Sequence, residues 1–302
     1  MKIQKKIIIS SADTKYFELL TELQSSLEHN NILDDYDFGV LDTGLKKSEV
    51  NYLKQKNAII HKAEWNVQVQ KYKVRKRDHL KTQFARAFLP DYFNGYNIYI
   101  WLDADTWIND RDTFLLYELG AKNSKLCITP QVDRSYGKFA KVDWFFGFPK
   151  KIRTINYKNI SKSVSSSLAR KYALHATLNA GAFSLNDNPN LWKVFQKNIL
   201  LASQKGRIFG TDQVALALSI YEDNLPAEFL PAYCNWMCEF KMPFYDNYNK
   251  KFVEPFLPHH PIGLMHLAGL DEIRSNSNLK LNIRNLQGNL NKHSIRFKKS
   301  YD

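Results

Sequence analysis

The chain has 302 residues, 44% of them hydrophobic and 14% aromatic, enough for one large domain with or without an appendage. Lysine and arginine number 43 against 30 aspartate and glutamate, and this surplus of +13 points to an anionic partner: nucleic acid, acidic lipid or a nucleotide diphosphate. A charged fraction of 24% in that background excludes a mostly disordered protein, and no apolar run reaches membrane-spanning length.

Residues 1–7 carry lysines but no apolar core followed by a small-residue cleavage site, so they read as the approach to a strand and not as a signal peptide. Lys6 to Asp13 is that first strand, ending in small polar residues. Apolar residues at helical spacing (Phe17, Leu20, Leu23, Leu27) predict a helix over Tyr16 to Leu27. Phe38 to Leu41 is a second strand with Asp42-Thr43-Gly44 as its turn, followed by a helix over Ser48 to Gln55 and a short strand Ala58 to Ile60. Such alternation predicts an α/β fold with a mostly parallel sheet covered by helices, whose ligands sit beyond the carboxyl ends of the strands.

The basic run from Gln70 to Lys81, with Arg75 and Lys76 at its centre, reads as a solvated loop. Lys81 to Pro90 is expected as one amphipathic helix, in which Arg86 is half-buried and in need of an anionic partner. Tyr96 to Leu102 is a buried strand that runs directly into Asp103-Ala104-Asp105. If the chain stays extended there, Asp103 and Asp105 leave the same face, and a hard divalent cation relieves their mutual repulsion. The plainer alternative is that Asp105-Thr106 caps a helix around Asp112 to Gly120.

Leu126 to Thr129 is another strand, and Gln131 to Ala176 reads as a long irregular insertion, a lid or acceptor-facing region. Leu178 to Leu185 is a strand opening on Asn179-Ala180-Gly181, where glycine lets a ligand or another backbone approach closely. A helix over Pro189 to Gln204 follows, then a second beginning at Gly210 with Thr211 as its expected N-cap, and a strand over Ala227 to Leu230. Pro261 to Gly269 is a short apolar strand whose His266, taken alone, reads as a core histidine. Residues 1–275 are expected to form the main domain and residues 276–302 a basic tail. The three cysteines, Cys127, Cys234 and Cys238, have neither zinc-site nor disulfide-framework spacing and read as reduced thiols. The sequon Asn159-Ile160-Ser161 is of a kind that arises by chance.

Together these pieces resemble the GT-A glycosyltransferases of family 8, which include lipopolysaccharide galactosyl- and glucosyltransferases and glycogenin. The resemblance rests on Ser11-Ala12-Asp13 with Tyr16, the Arg86 helix, Asp103-Ala104-Asp105, Asn179-Ala180-Gly181, Asp212-Gln213 and His266-Leu267-Ala268-Gly269, in that order over residues 6–269. It implies retaining transfer of a hexose from a UDP-sugar or similar donor to a glycan or lipid-linked saccharide. Asp13 and Tyr16 would hold the base, Tyr16 by stacking, and Ser11 and Ala12 would belong to the same donor site. Asp103, Asp105 and His266 would bind Mn²⁺ or Mg²⁺ on the donor diphosphate, the mixed oxygen and nitrogen set favouring Mn²⁺. Arg86, Asn179, Asp212 and Gln213 would surround the donor sugar, Asp212 and Gln213 in catalytic roles, with Ala104, Ala180, Gly181 and Gly269 completing the donor site.

Family members often carry a Lys-Pro-Trp element after the His-x-x-Gly motif; here Leu270-Asp271-Glu272-Ile273-Arg274 follows, and Arg274 is the expected substitute. Reduced thiols suggest a cytoplasmic setting, and the basic tail reads either as a disordered, solvated terminus or as a peripheral contact with the acidic inner face of the membrane. Three rival readings carry less. A sugar-1-phosphate nucleotidyltransferase needs a glycine-rich loop after the first strand, and residues 10–15 contain no glycine. A nucleic-acid-binding protein lacks any recognition motif here, so no nucleic-acid partner is expected. A catalytically silent sugar-nucleotide or glycan binder is the third.

Overall fold

The computed structural model describes residues 4–69, 71–74, 77–137, 140–205 and 208–299. Gln70, Arg75 and Lys76 of the expected basic loop lie outside the described residues. The chain begins with β1 (Lys6–Ala12), a single 3₁₀ turn, α1 (Phe17–His29), β2 (Asp37–Asp42), α2 (Lys47–Gln55) and β3 (Ile59–Lys62). Three short helices, α3 (Lys71–Val74), α4 (Thr82–Ala85) and α5 (Leu89–Tyr92), lead to β4 (Ile98–Leu102) and β5 (Thr106–Ile108). Then come α6 (Arg111–Phe114), α7 (Leu116–Lys122), β6 (Leu126–Pro130), β7 (Ala140–Phe145) and β8 (Phe148–Thr154). They are followed by α8 (Ile155–Ser163), α9 (Ser166–Lys171), β9 (Leu178–Asn186), α10 (Pro189–Ser203), α11 (Thr211–Tyr221) and β10 (Ala227–Phe229). The last part holds β11 (Trp236–Met237), β12 (Phe244–Asp246), β13 (Lys251–Val253), β14 (Leu264–His266), α12 (Asp271–Ser275), β15 (Leu281–Arg284) and β16 (Leu290–His293).

Seven strands form the central sheet in the order β10-β6-β9-β4-β1-β2-β3, parallel throughout except that β9 runs against both β4 and β6. Period-two alternation builds a core on each face. Ile7 and Ile9 of β1, with Tyr99 and Trp101 of β4, enter one cluster beneath α10 and α11; Ile8, Ile98, Ile100 and Leu102 enter the other beneath α1 and α7. All five residues of β4 are buried, as expected of a strand covered on both faces. A second sheet, β11-β14-β5, extends the fold beyond the carboxyl end of β4 and packs on a third cluster around Trp107, Trp236 and Phe252. The three cysteines are free and buried, and burial pushes the Cys127 thiol up to about 12.

Four local expectations change. The helix predicted over Lys81 to Pro90 is broken after Ala85 and restarts at Leu89. Pro90 has no N–H to donate to the Arg86 carbonyl, and its ring would collide with that carbonyl in a continuous helix. Asp103 to Asp105 is a turn, not an extension of β4: the Thr106 N–H and Oγ1 both donate to the Asp103 carbonyl, at 3.1 and 2.8 Å. Asp105 caps no helix; Asp110 caps α6, its carboxylate accepting from the Thr113 N–H at 2.9 Å. Nor does Thr211 cap α11, because Gly210 occupies that position in the left-handed region at φ +78° while the Thr211 hydroxyl donates back to the Ile208 carbonyl.

Within the expected insertion Gln131 to Ala176, residues 140–171 are more regular than expected, forming the β7–β8 hairpin and the helices α8 and α9. Residues 276–299 are not a loose tail. They form the β15–β16 hairpin, bury Ile283, Ile295 and Phe297 in the third cluster, and place the Arg296 side chain at 0% exposure.

Candidate active site

Five strand ends and helix starts converge beyond the carboxyl ends of β1 and β4. The Asp103 N–H donates to the Gly181 carbonyl at 2.7 Å, which ties the acidic turn to the start of β9. From the other side β14 pairs antiparallel with β5, setting His266 opposite Thr106, and the Leu267 N–H reaches the Asp105 carbonyl at 2.9 Å. Asp103, Asp105 and His266 thereby meet, each offering one ligand atom within 4.8 Å of the others.

Each carboxylate of this cluster uses one oxygen to hold its position. Asp103 Oδ1 accepts from Trp101 Nε1 at 2.9 Å and from Arg86 Nη2 at 3.1 Å. Asp105 Oδ2 accepts from Arg274 Nη1 at 2.9 Å, while its Oδ1 faces His266 Nε2 at 3.6 Å. His266 Nδ1 lies 2.9 Å from Asn235 Oδ1. An amide oxygen there accepts from Nδ1–H, which leaves the Nε2 lone pair aimed at the carboxylates, the tautomer that ligates a metal.

Gly181 keeps the space open. A Cβ built on it would overlap His266 Cε1 and lie 3.1 Å from both Asp103 Oδ2 and Asn179 Oδ1. The oxygen, oxygen and nitrogen donors, the fixed tautomer and this side-chain-free floor fit a divalent cation.

Beside the cluster lies a buried ionic pair. Arg86, 2% exposed, places Nη1 2.6 Å from Asp212 Oδ2 and 2.8 Å from the Ala180 carbonyl, and its guanidinium stacks over Trp101 at 4.7 Å. The partner demanded by a buried arginine is thus two carboxylates from opposite parts of the chain. Burial lifts the Asp212 carboxyl above its ordinary value; Arg86 opposes that lift and Asp103 adds to it. Gln213 follows on the first turn of α11, half-buried, its N–H donating to Asp212 Oδ1 at 2.8 Å. Asn179 Oδ1 accepts from the Gly181 N–H at 3.0 Å, whereas its buried Nδ2 has no hydrogen-bond partner among the described residues.

On the far side of Arg274 from the acidic cluster, Asp13 caps the 3₁₀ turn by accepting from the Tyr16 N–H at 3.1 Å. Ser11 shares a 2.8 Å hydrogen bond with Thr82, and Ala12 is buried, its carbonyl accepting from the Thr43 N–H at 3.1 Å. Tyr16 is half-buried with the Arg274 guanidinium 5.7 Å from its ring centre. Arg274 also pairs with Asp271, so the anion preceding it in sequence orients it. Ala104 is buried in the acidic turn. Gly269 adopts φ +79°, and a side chain there would run into the Glu239 carboxylate. The residues singled out from the sequence therefore line one connected region. Two more belong to it that the motifs do not mark, Trp101 and Asn235. Trp101 shares a period-two face with Asp103 and is legible on that ground, but nothing local ties Asn235 to His266.

A parallel sheet with one reversed strand, carrying an acidic turn after its central strand and a second small sheet that delivers a histidine, is the GT-A architecture. The sequence profile described as glycosyl transferase family 8 matches residues 7–200, and the chain belongs to that family. Among solved structures, an active-site mutant of LgtC aligns with a TM-score of 0.51 at 14% identity, covering 87% of each chain. The galactosyltransferase LgtC in complex with donor and acceptor sugar analogs aligns at 0.50 and 15%, again over 87% of each. The bifunctional glycosyltransferase WbbM gives 0.50 and 15%, over 77% of this chain and 40% of that one. At these identities the likeness establishes the fold. No curated protein sequence matches the chain. Among the described residues no helix is long and apolar enough to cross a membrane.

Proposed function

We propose that this glycosyltransferase moves a hexose from a nucleotide-sugar, a UDP-sugar in the first instance, to a glycan or lipid-linked saccharide with retention of anomeric configuration, and that it requires a divalent cation. The observation that carries this reading is the meeting of Asp103, Asp105 and His266 within 4.8 Å, next to the buried Arg86–Asp212 pair. Those three side chains would hold the cation, Mn²⁺ before Mg²⁺ because imidazole favours a transition metal. When bound it would supply Lewis-acid neutralisation of the charge that grows on the departing diphosphate.

The chain's own groups do the rest. Tyr16 offers a ring for the base, and Arg274 brings a second positive charge beside the diphosphate. The unpartnered Asn179 Nδ2 donates to a sugar oxygen, which removes the penalty of leaving a buried amide unsatisfied. Asp212 has one oxygen on Arg86 and the other on the Gln213 N–H, an arrangement suited to stabilising positive charge on the anomeric carbon and poorly suited to direct attack. The acceptor hydroxyl oxygen then bonds the anomeric carbon, the bond to the diphosphate breaks with its electron pair, and the hydroxyl proton passes to the departing phosphate.

Thermal denaturation against a panel of sugar nucleotides, with and without Mn²⁺, tests the reading. A donor at a hundredfold excess over its dissociation constant adds about 2.7 kcal/mol, a shift of several degrees. Asp103→Asn and Asp105→Asn are expected to keep the ligand-free midpoint near that of the parent and to lose both the Mn²⁺-dependent shift and transfer. Undiminished cation-dependent turnover in either variant would remove the cluster from the mechanism.

A further inference from the structure

The β7–β8 hairpin exposes a run of large aromatic side chains. Trp144 is 65% exposed, Phe145 57%, Phe146 87% and Phe148 75%, all within five consecutive positions. A soluble surface that crowds large aromatics in this way marks an interaction site. The turn between the strands sharpens the point. Phe145 pairs with Phe148, leaving a two-residue loop in which Phe146 has φ +46° and Gly147 φ +78°. Positive φ at both central positions is the hairpin turn that normally selects Asn-Gly, because a bulky side chain is strained there. Phenylalanine at the first position weakens the turn and packs into no core. Its effect is to hold an aromatic ring at the outermost point of the loop.

The flanks are basic. Residues 140–154 include Lys141, Lys150, Lys151 and Arg153 against the single acid Asp143, and the Lys150 ammonium lies over the Phe145 ring at 5.1 Å. Aromatic rings at an apolar tip with lysines behind them match the bilayer interface, where rings sit at headgroup level and the cations meet anionic lipid. The placement is also informative. The insertion leaves the central sheet at the carboxyl end of β6 and re-enters at Leu178, where the Gln131 N–H meets the Thr177 carbonyl at 2.6 Å. Asp103 joins Gly181 at that same end of the sheet, so the hairpin grows from the rim of the active site.

We infer that the Trp144–Phe148 tip inserts into the interface of an anionic membrane and so holds the active-site end of the protein against the bilayer. This assigns the contact to the hairpin and not to the C-terminal residues, whose fully buried Arg296 is committed to Glu22 and Glu18. It stands apart from the choice of donor and acceptor.

The test is co-sedimentation of the full chain with vesicles of phosphatidylcholine alone and of phosphatidylcholine with phosphatidylglycerol. The parent protein should bind the anionic vesicles, with a blue shift of tryptophan emission. Phe146→Ser with Phe148→Ser should weaken partitioning by roughly tenfold or more while circular dichroism stays unchanged. Trp144→Phe should keep binding and lose most of the blue shift, since Trp101, Trp107, Trp192 and Trp236 are buried and Trp65 is partly buried against the core. Absence of binding by the parent, or equal binding to both vesicle types, would overturn the proposal. So would binding that survives the tip variants and disappears with Lys298→Ala and Lys299→Ala. Self-association abolished by the tip variants, without vesicle binding, would assign the patch to a protein interface instead.

Discussion

Gly181 shows how little of this site depends on the reacting groups alone. Its missing Cβ lets the His266 ring, the Asp103 carboxylate and the Asn179 amide approach one another. Gly181→Ala adds one methyl group at the start of a strand that is otherwise buried on both faces, so the fold should survive with His266 displaced. A misplacement on the order of 1 Å at a reacting centre lowers turnover by about 10²-fold. That loss is expected in a transfer assay, together with weaker Mn²⁺ stabilisation in a thermal scan. Parent-like activity would mean that His266 has room to move without consequence. The motif Asn-Ala-Gly is legible as a place of close approach; which atoms approach is not, because they come from segments far apart in the chain.

At the scale of an element, α12 is held in place by residues C-terminal to it. Arg296 donates to the carbonyls of Ile273 and Arg274, at 3.2 and 2.9 Å, at the carboxyl end of a five-residue helix. Its other donors fork onto Glu22 of α1 at 2.6 and 2.8 Å. Helix α12 carries Arg274 to Asp105, so a segment whose composition suggests a solvated tail braces a cation of the candidate site. Arg296→Ala strands Glu22 and two helix-end carbonyls, and a loss of about 3–5 kcal/mol is expected in urea denaturation. A change below about 1 kcal/mol would show that water replaces the guanidinium without difficulty. Composition alone marks this segment as basic, and a positive residue looks the same in sequence whether it faces solvent or a partly buried glutamate.

For the whole molecule, acid sensitivity arises from carboxylates clamped between distant elements. Burial pushes Glu118 up, but Lys122, the Tyr36 hydroxyl and Lys6 outweigh it and hold the carboxyl below its ordinary range. Asp110 is held low in the same way, burial being outweighed by Lys251 and by the N–H and hydroxyl of Thr113. A carboxyl with a lowered folded pKa contributes stability above its unfolded value and loses it as pH falls through the folded one. Asp212 and Glu22, lifted mainly by burial, act in the opposite sense and soften the slope. The net expectation is a melting midpoint several degrees lower at about pH 3.5 than at about pH 7. Lys251→Met should flatten the acid limb. A midpoint that rises on acidification would show that the lifted groups dominate.

Strand–helix alternation, the buried run into Asp103-Ala104-Asp105 and the glycine at the start of β9 are all present as local pattern. Periodicity reports which face of an element is covered, and that is enough for the fold class and for one half of the candidate site. The other half is made of contacts between side chains that no spacing rule connects: Asn235 with His266 across 31 residues, Arg274 with Asp105 across 169, Arg296 with Glu22 across 274. A hydrogen bond or ion pair depends on distance in space. Only the folded backbone, by running β14 against β5 and turning the C-terminal residues back onto α1, brings those groups within reach.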